Sequence, residues 1–269
     1  MIKLVTIDLD GTLFDNNKKI SIDNKIAIKK AHEMGVKIVI ATGRPITGVM
    51  PVLEELGLTT DQDYAIIYNG AKIFNVGTKE EIYTSTISGK DVKDIYEESK
   101  RLKVFIHAFR KNEELITTMH NPYTDIEARL NKLTDEIVDF NSIADDERFL
   151  KCMMVDSDEN VTKAIENINE YFYTNFSMVR SSKIFLEFLN KTTHKGSALI
   201  TLAKYLNIDI KDTMAIGDAG NDLPMILSAG IGVAMKNSFP EIKEKAKYIT
   251  ASNEESGVAR AIERFILNL

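Results

Sequence analysis

From its first residues the chain alternates short runs of β-branched and apolar side chains with stretches in which apolar positions recur every three or four residues. The pattern predicts a strand over 3–8, a helix over 21–34, a strand over 36–41, a helix over 45–56 with Pro45 pre-set for its first turn, and a buried strand over 64–68. Such βαβαβ alternation with short connections calls for a parallel sheet with helices on both faces. The same pattern returns late in the chain, with a helix over 193–206, a strand over 213–216, a helix after Asn221, a strand over 231–234 and a closing helix over 254–267.

The intervening stretch reads differently. Strands are predicted over 104–109, 115–119, 137–140, 151–155 and 177–179, with helices over 91–102, 122–132 and 159–171. Strands clustered with few helices between them suggest an α+β unit. The expected architecture is an α/β protein with a doubly wound, Rossmann-type parallel sheet formed by residues 1–84 and 188–269, interrupted by an inserted α+β domain over 85–187.

Composition narrows the function classes. With 44% apolar and 28% charged residues, 14 Gly and 5 Pro in 269 positions, the chain can build a sizeable core and is neither disordered nor low-complexity. A net charge of −6 gives no basic surface for nucleic acid or anionic lipid. The single cysteine, Cys152, excludes an intrachain disulfide and a cysteine-ligated zinc, and fits a reducing compartment. No apolar run reaches bilayer length, and the opening MIKLVTIDLD lacks the apolar core of a secretory leader. The expectation is a cytoplasmic protein without membrane or nucleic-acid partners; its oligomeric state stays open.

Candidate chemistry sits at the ends of the predicted core strands, where open α/β sheets bind ligands. Asp8-Leu9-Asp10-Gly11-Thr12 follows the first strand, and with Asp and Gly at ordinary usage such a D-x-D-G-[ST] string arises by chance in under about 1% of chains this long. A turn stabilised by Asp8 is the bland alternative; a calcium loop is set aside because Gly11 is fourth rather than sixth. Gly217-Asp218-Ala219-Gly220-Asn221-Asp222 follows another predicted strand and alone could be a helix cap. Together, Asp8, Asp10, Asp218 and Asp222 would repel one another on one rim, which a hard divalent cation, magnesium foremost, would relieve. Thr42-Gly43-Arg44 after the second strand, and Lys195 at the start of a helix, add a hydroxyl and an ammonium suited to phosphate, although each alone is a common cap or surface residue.

DLDGT at Asp8, Thr42 in ATGR, Lys195 in HKG and GDAGND at 217–222 together resemble the motifs of haloacid dehalogenase-like hydrolases. Asn69-Gly70-Ala71 and the VAM-N stretch at 233–237 are similar to the Cof-type branch, in particular its YidA-like sugar phosphatases, and the insertion resembles that branch's large α/β cap. The resemblance implies a phosphatase acting on small phosphomonoesters, most readily sugar phosphates. Asp8 would be the nucleophile and Asp10 the general acid and base. Thr42, Gly43, Lys195 and Asn221 would hold phosphate. Magnesium would be bound by Asp8, Asp218 and the backbone carbonyl of Asp10, with Asp222 behind them. Arg44 and Asn69 from the core, and His107, His120 and Ser182 from the insertion, are candidate substrate contacts, while His32 and His194 read as structural. Competing readings are a phosphotransferase or phosphomutase of the same superfamily, and an aspartate-phosphorylated receiver protein, which Asp10 and the large insertion argue against.

Overall fold

The computed structural model describes residues 1–268. The chain folds as two compact units, one made of Met1–Gly43, Val49–Tyr83 and the chain from His194 onward, the other of Arg44–Gly48 and Thr84–Thr193.

In the first unit an eight-stranded sheet runs in the order Tyr248–Ile249, Ile231–Ala234, Thr213–Gly217, Leu4–Ile7, Lys37–Ala41, Tyr64–Ile67, Lys72–Asn75 and Glu81–Thr84. Neighbours are parallel from Tyr248–Ile249 through Tyr64–Ile67. Leu4–Ile7 is buried throughout, as a central parallel strand covered on both faces must be. The chain leaves it toward Lys37–Ala41 on one side and later returns to Thr213–Gly217 on the other, so Leu4–Ile7 borders the point where the winding reverses. Ile7 is level with both Ile40 and Ile216. The residues that follow these strands, from Asp8, Thr42 and Asp218 on, therefore emerge side by side on one rim.

The sheet is not parallel throughout. Tyr64–Ile67 pairs antiparallel with Lys72–Asn75, a strand that the periodicity did not suggest. Tyr68, Asn69 and Gly70 have φ of 52°, 53° and 101°, and this left-handed run reverses the chain in a span too short for the crossover a parallel partner needs. The closing helix expected over 254–267 is also broken. A 3₁₀ turn at Asn253–Glu255 and left-handed Ser256 precede Gly257–Ile262, and the last turn widens to a π-helix over Glu263–Leu267.

In the second unit the strands run in the order Phe176–Ser182, Phe185–Asn190, Arg148–Val155, Phe105–Arg110, Leu115–Thr117 and Asp135–Ile137, with Ile87–Ser88 also on Arg148–Val155. Phe185–Asn190 was not expected. It pairs antiparallel with strands on both sides, so the chain stays in this sheet past the expected boundary at 187/188 and leaves it at Thr193. The helix expected over 159–171 splits into Asp158–Asn167 and Glu170–Asn175, because the Asn169 side chain accepts a hydrogen bond from Tyr171 N and starts a new helix.

Side chains alternate across this sheet. Ile106, Ala108, Cys152, Met154, Leu186 and Phe188 join Val92, Ile95, Val161 and Ala164 in one apolar cluster. The opposite face carries His107, Lys151 and Glu187, all nearly inaccessible, with Lys151 and Glu187 paired at 3.1 Å. His107, one of the expected substrate contacts, is enclosed in this sheet. Its ring has no exposed surface, Nδ1 lies 3.0 Å from Thr124 Oγ1 and Nε2 lies 3.2 Å from Met153 Sδ.

Burial, with the Lys151 ammonium adding to it, pushes the His107 pKa down to about 3. The unfolded chain therefore takes up a proton near the ordinary histidine pKa that the native state refuses, and stability falls as pH drops from that value toward 3. Between about pH 7 and pH 5 this group should cost the native state about 2 kcal/mol in urea unfolding. His107→Gln should flatten that part of the pH dependence; an unchanged slope would show that His107 does not carry it.

Candidate active site

Each acidic motif is placed by the strand before it. Asp8 continues from Leu4–Ile7, its backbone N–H donating to Ile216 O at 3.0 Å, and its carboxylate is almost fully buried. Two residues on, Asp10 is exposed and ion-paired with Lys18 at 2.6 Å. Between them and the next motif stands Gly11, with φ of 90°; a Cβ there would lie 2.5 Å from Asp218 Oδ2, so both the backbone and the space demand glycine. Thr12 Oγ1 donates to Asp218 Oδ1 at 2.7 Å and ties the first motif to the last.

Asp218 follows Thr213–Gly217. The Asp222 carboxylate turns back into the same loop, where Oδ2 accepts from the backbone N–H of Asp218 at 3.0 Å and of Ala219 at 3.1 Å. Its other oxygen receives the Lys195 ammonium at 2.6 Å, and the same ammonium donates to Asp8 Oδ1 at 2.5 Å. Lys195 and Asp222 have no exposed surface. Lys195 begins the helix Lys195–Tyr205, whose N-terminus is capped by His194: its Nδ1 accepts from Ser197 N at 3.0 Å while Ser197 Oγ accepts from His194 N. Burial lowers the His194 pKa, which keeps Nδ1 an acceptor. His32 is likewise structural, 2.8 Å from Asp63.

The phosphate candidates converge on the same rim. Thr42 is buried after Lys37–Ala41; its N–H donates to Ile66 O, and its carbonyl accepts from Asn69 N, each at 2.9 Å. Left-handed Asn69 accepts from Asn221 Nδ2 at 3.2 Å, and a Cβ on Gly43 would come within 2.9 Å of the Asn69 amide. Thus Asp8, Thr42, Gly43, Asn69, Lys195, Asp218, Asn221 and Asp222 are joined through strand ends and direct contacts. The remaining expected residues lie in the second unit: Arg44 in its short Arg44–Gly48 piece, His120 largely exposed 3.7 Å from Asp135, and Ser182 exposed at the end of Phe176–Ser182.

Two contributors were not singled out by the sequence. Asn237 Nδ2 donates to Gly11 O at 2.8 Å, and Asn237 Oδ1 accepts from Asn253 N at 3.0 Å, bracing the loop that bears Asp10. Asn237 lies in the VAM-N stretch, so a signal for it existed. Lys18, one of two adjacent lysines, gave none.

The electrostatics of the rim are unbalanced. Asp8, Asp218 and Asp222 each place an oxygen within 4.8 Å of the others. Burial first, then repulsion from Asp222, raises Asp8 well above the ordinary carboxylate range despite Lys195, and the same two causes push Asp218 up to about 6. For Lys195, burial works against the charge, but the Asp222 and Asp8 carboxylates outweigh it and raise the pKa.

A model of the haloacid dehalogenase-like hydrolase family matches residues 5–262. The chain belongs to that family. This haloacid dehalogenase-like hydrolase is an enzyme of the phosphatase kind and falls in the Cof-type branch. It is 39% identical over 269 residues to the protein named "Putative phosphatase M6_Spy0533" of Streptococcus pyogenes, covering 99% of each chain. It also matches the crystal structure of a haloacid dehalogenase-like hydrolase from Bacteroides thetaiotaomicron at 33% identity and a TM-score of 0.85, over 99% of this chain and 100% of that one. The subclass IIB sugar phosphatase BT4131 matches at 26% identity and a TM-score of 0.81, over 98% of both chains.

Removing one partner from a buried charge cluster leaves the others uncompensated, at about 3–5 kcal/mol. Lys195→Met should lower the stability of chelator-treated hydrolase by about that much in urea unfolding. A loss below about 1 kcal/mol would show that the ammonium is not what holds the carboxylates together.

Proposed function

We propose that this chain is a magnesium-dependent phosphatase that hydrolyses small phosphomonoesters, sugar phosphates foremost, through an aspartyl-phosphate on Asp8. One observation carries the reading: two carboxylates hold a single buried ammonium at the strand ends, a third carboxylate lies within 4.8 Å of both, and one of the three, Asp8, directly continues the strand that borders the switch point. Sugar phosphates are favoured by the likeness to a sugar phosphatase over nearly the whole chain.

The donor set fits a hard divalent cation. Its oxygens are carboxylates whose pKa values are raised by burial first and then by repulsion from Asp222, and one lysine does not cancel the two. Asp8, Asp218 and the backbone carbonyl of Asp10 would hold the ion. Bound there, it would offset the negative charge of the phosphoryl oxygens.

The protein's own groups then divide the work. An Asp8 carboxylate oxygen attacks phosphorus; the new O–P bond forms as the ester O–P bond breaks, and the leaving oxygen takes both electrons of the broken bond and a proton from Asp10. Water next attacks the acyl-phosphate, losing a proton to the Asp10 carboxylate, and phosphate leaves with Asp8 restored. Lys195, Thr42 and Asn221 hold the phosphoryl oxygens, with Gly43 allowing their close approach and Asn69 fixing Asn221 through its amide. Asp222 keeps Lys195 charged and in place.

Asp8→Asn should lower phosphate release from a panel of sugar phosphates by at least about a thousandfold. Asp10→Asn should slow turnover by about a hundredfold and leave chain carrying one added phosphoryl group, read by intact mass. Chelation should abolish activity and magnesium restore it. Full activity of Asp8→Asn would overturn the assignment of the nucleophile, and activity that survives chelation would overturn the metal requirement.

A further inference from the structure

The loop between Asp10 and the first helix of the core carries a lysine that the proposed chemistry leaves without a role. Lys18 has φ of 59°, a left-handed conformation that costs a long side chain energy and that glycine or asparagine would adopt more readily. The loop is tightly built around it. Asp15 N donates to Lys19 O at 2.9 Å, Lys18 N donates to Asp15 O at 3.0 Å, and Asp15 Oδ1 accepts from the N–H groups of Asn17 and Lys19, both at 2.8 Å. Phe14 bridges to Asp10 on one side and Ile20 on the other. Asn16 N donates to Glu254 at 2.6 Å, and Asn253 Nδ2 donates to Phe14 O at 3.0 Å. The outcome of this bracing is that the tip of the loop returns the Lys18 ammonium to Asp10 Oδ1 at 2.6 Å.

A strained backbone held by its surroundings is the pattern expected where geometry serves function. The pair is exposed on both sides, and such pairs add little to stability, so the contact itself is not what holds the loop in this conformation. We propose that Lys18 is a positioning residue for Asp10: by holding one carboxylate oxygen it fixes the orientation in which the side chain meets the leaving oxygen. The inference rests on the reaction proposed above, in which Asp10 supplies the leaving-group proton. Lys18 does not itself touch the substrate.

Leaving groups of different quality separate this role from others. A sugar alkoxide needs a proton as the ester bond breaks, whereas p-nitrophenolate departs as the anion, so only the first depends on a well-placed Asp10. For Lys18→Met, kcat/KM toward the best sugar phosphate of the panel should fall by about tenfold or more, while kcat/KM toward p-nitrophenyl phosphate changes by less than about twofold. Lys18→Arg should restore most of the loss. Asp10→Asn should lower kcat/KM more toward the sugar phosphate than toward p-nitrophenyl phosphate, while slowing turnover of both through the second step, and adding Lys18→Met to it should cost nothing further, because the lysine acts through the aspartate. An equal fall with both esters, no fall with either, or a full additional loss in the double variant would overturn the assignment. Hydrolysis retained by Asp8→Asn, or wild-type protein inactive on every sugar phosphate, would overturn the underlying reaction and this assignment with it.

Discussion

One buried ammonium governs the rim of this protein. Lys195 has no contact with water and lies between Asp8 and Asp222, so its charge is tolerable only while both carboxylates stay beside it. The carboxylates, in turn, outnumber it, and burial, with repulsion from Asp222 adding to it, raises the pKa values of Asp8 and Asp218. Much of the local architecture serves to hold this arrangement. Gly217 must be glycine because a Cβ there would strike Asp222, Gly70 because a Cβ would strike the His194 carbonyl, and His194 caps the helix that presents Lys195.

The two units spend their buried polar groups differently. In the first, charged side chains gather at strand ends, where loops can open them to solvent and ligand. In the second, His107 and the Lys151–Glu187 pair are enclosed on a sheet face, with the imidazole held neutral by burial. The same residue types thus sit in different surroundings: buried Lys195 meets two carboxylates at strand ends, whereas buried Lys151 pairs with Glu187 on a sheet face.

How legible this was depended on range. The core strands and helices were readable because each carries its own periodicity, and Ile231–Ala234 falls where the pattern placed it. Lys72–Asn75 was not, since its existence follows from a left-handed turn at Tyr68–Gly70 that no hydrophobic pattern encodes. Phe185–Asn190 was missed because Glu187 interrupts its apolar run; Lys151 on the neighbouring strand pairs with that buried glutamate. In the site, the D-x-D-G-T and G-D-x-x-N-D strings stood out as compact motifs. Lys18 did not, because a lone lysine looks the same whether it faces solvent or pairs with a carboxylate.

The sequence by itself determined which side chains were available and which strand each motif follows, because hydrophobic periodicity and short motifs are local properties. Tertiary structure alone decided that residues as far apart in the chain as Asp8 and Lys195 share a hydrogen bond, that Thr12 closes on Asp218, that His107 is sealed away and that Lys18 returns to Asp10. The reason is physical. Charge balance and burial are properties of what surrounds an atom in space, and strand register and turn handedness, which set those surroundings, are fixed only when the whole sheet is assembled.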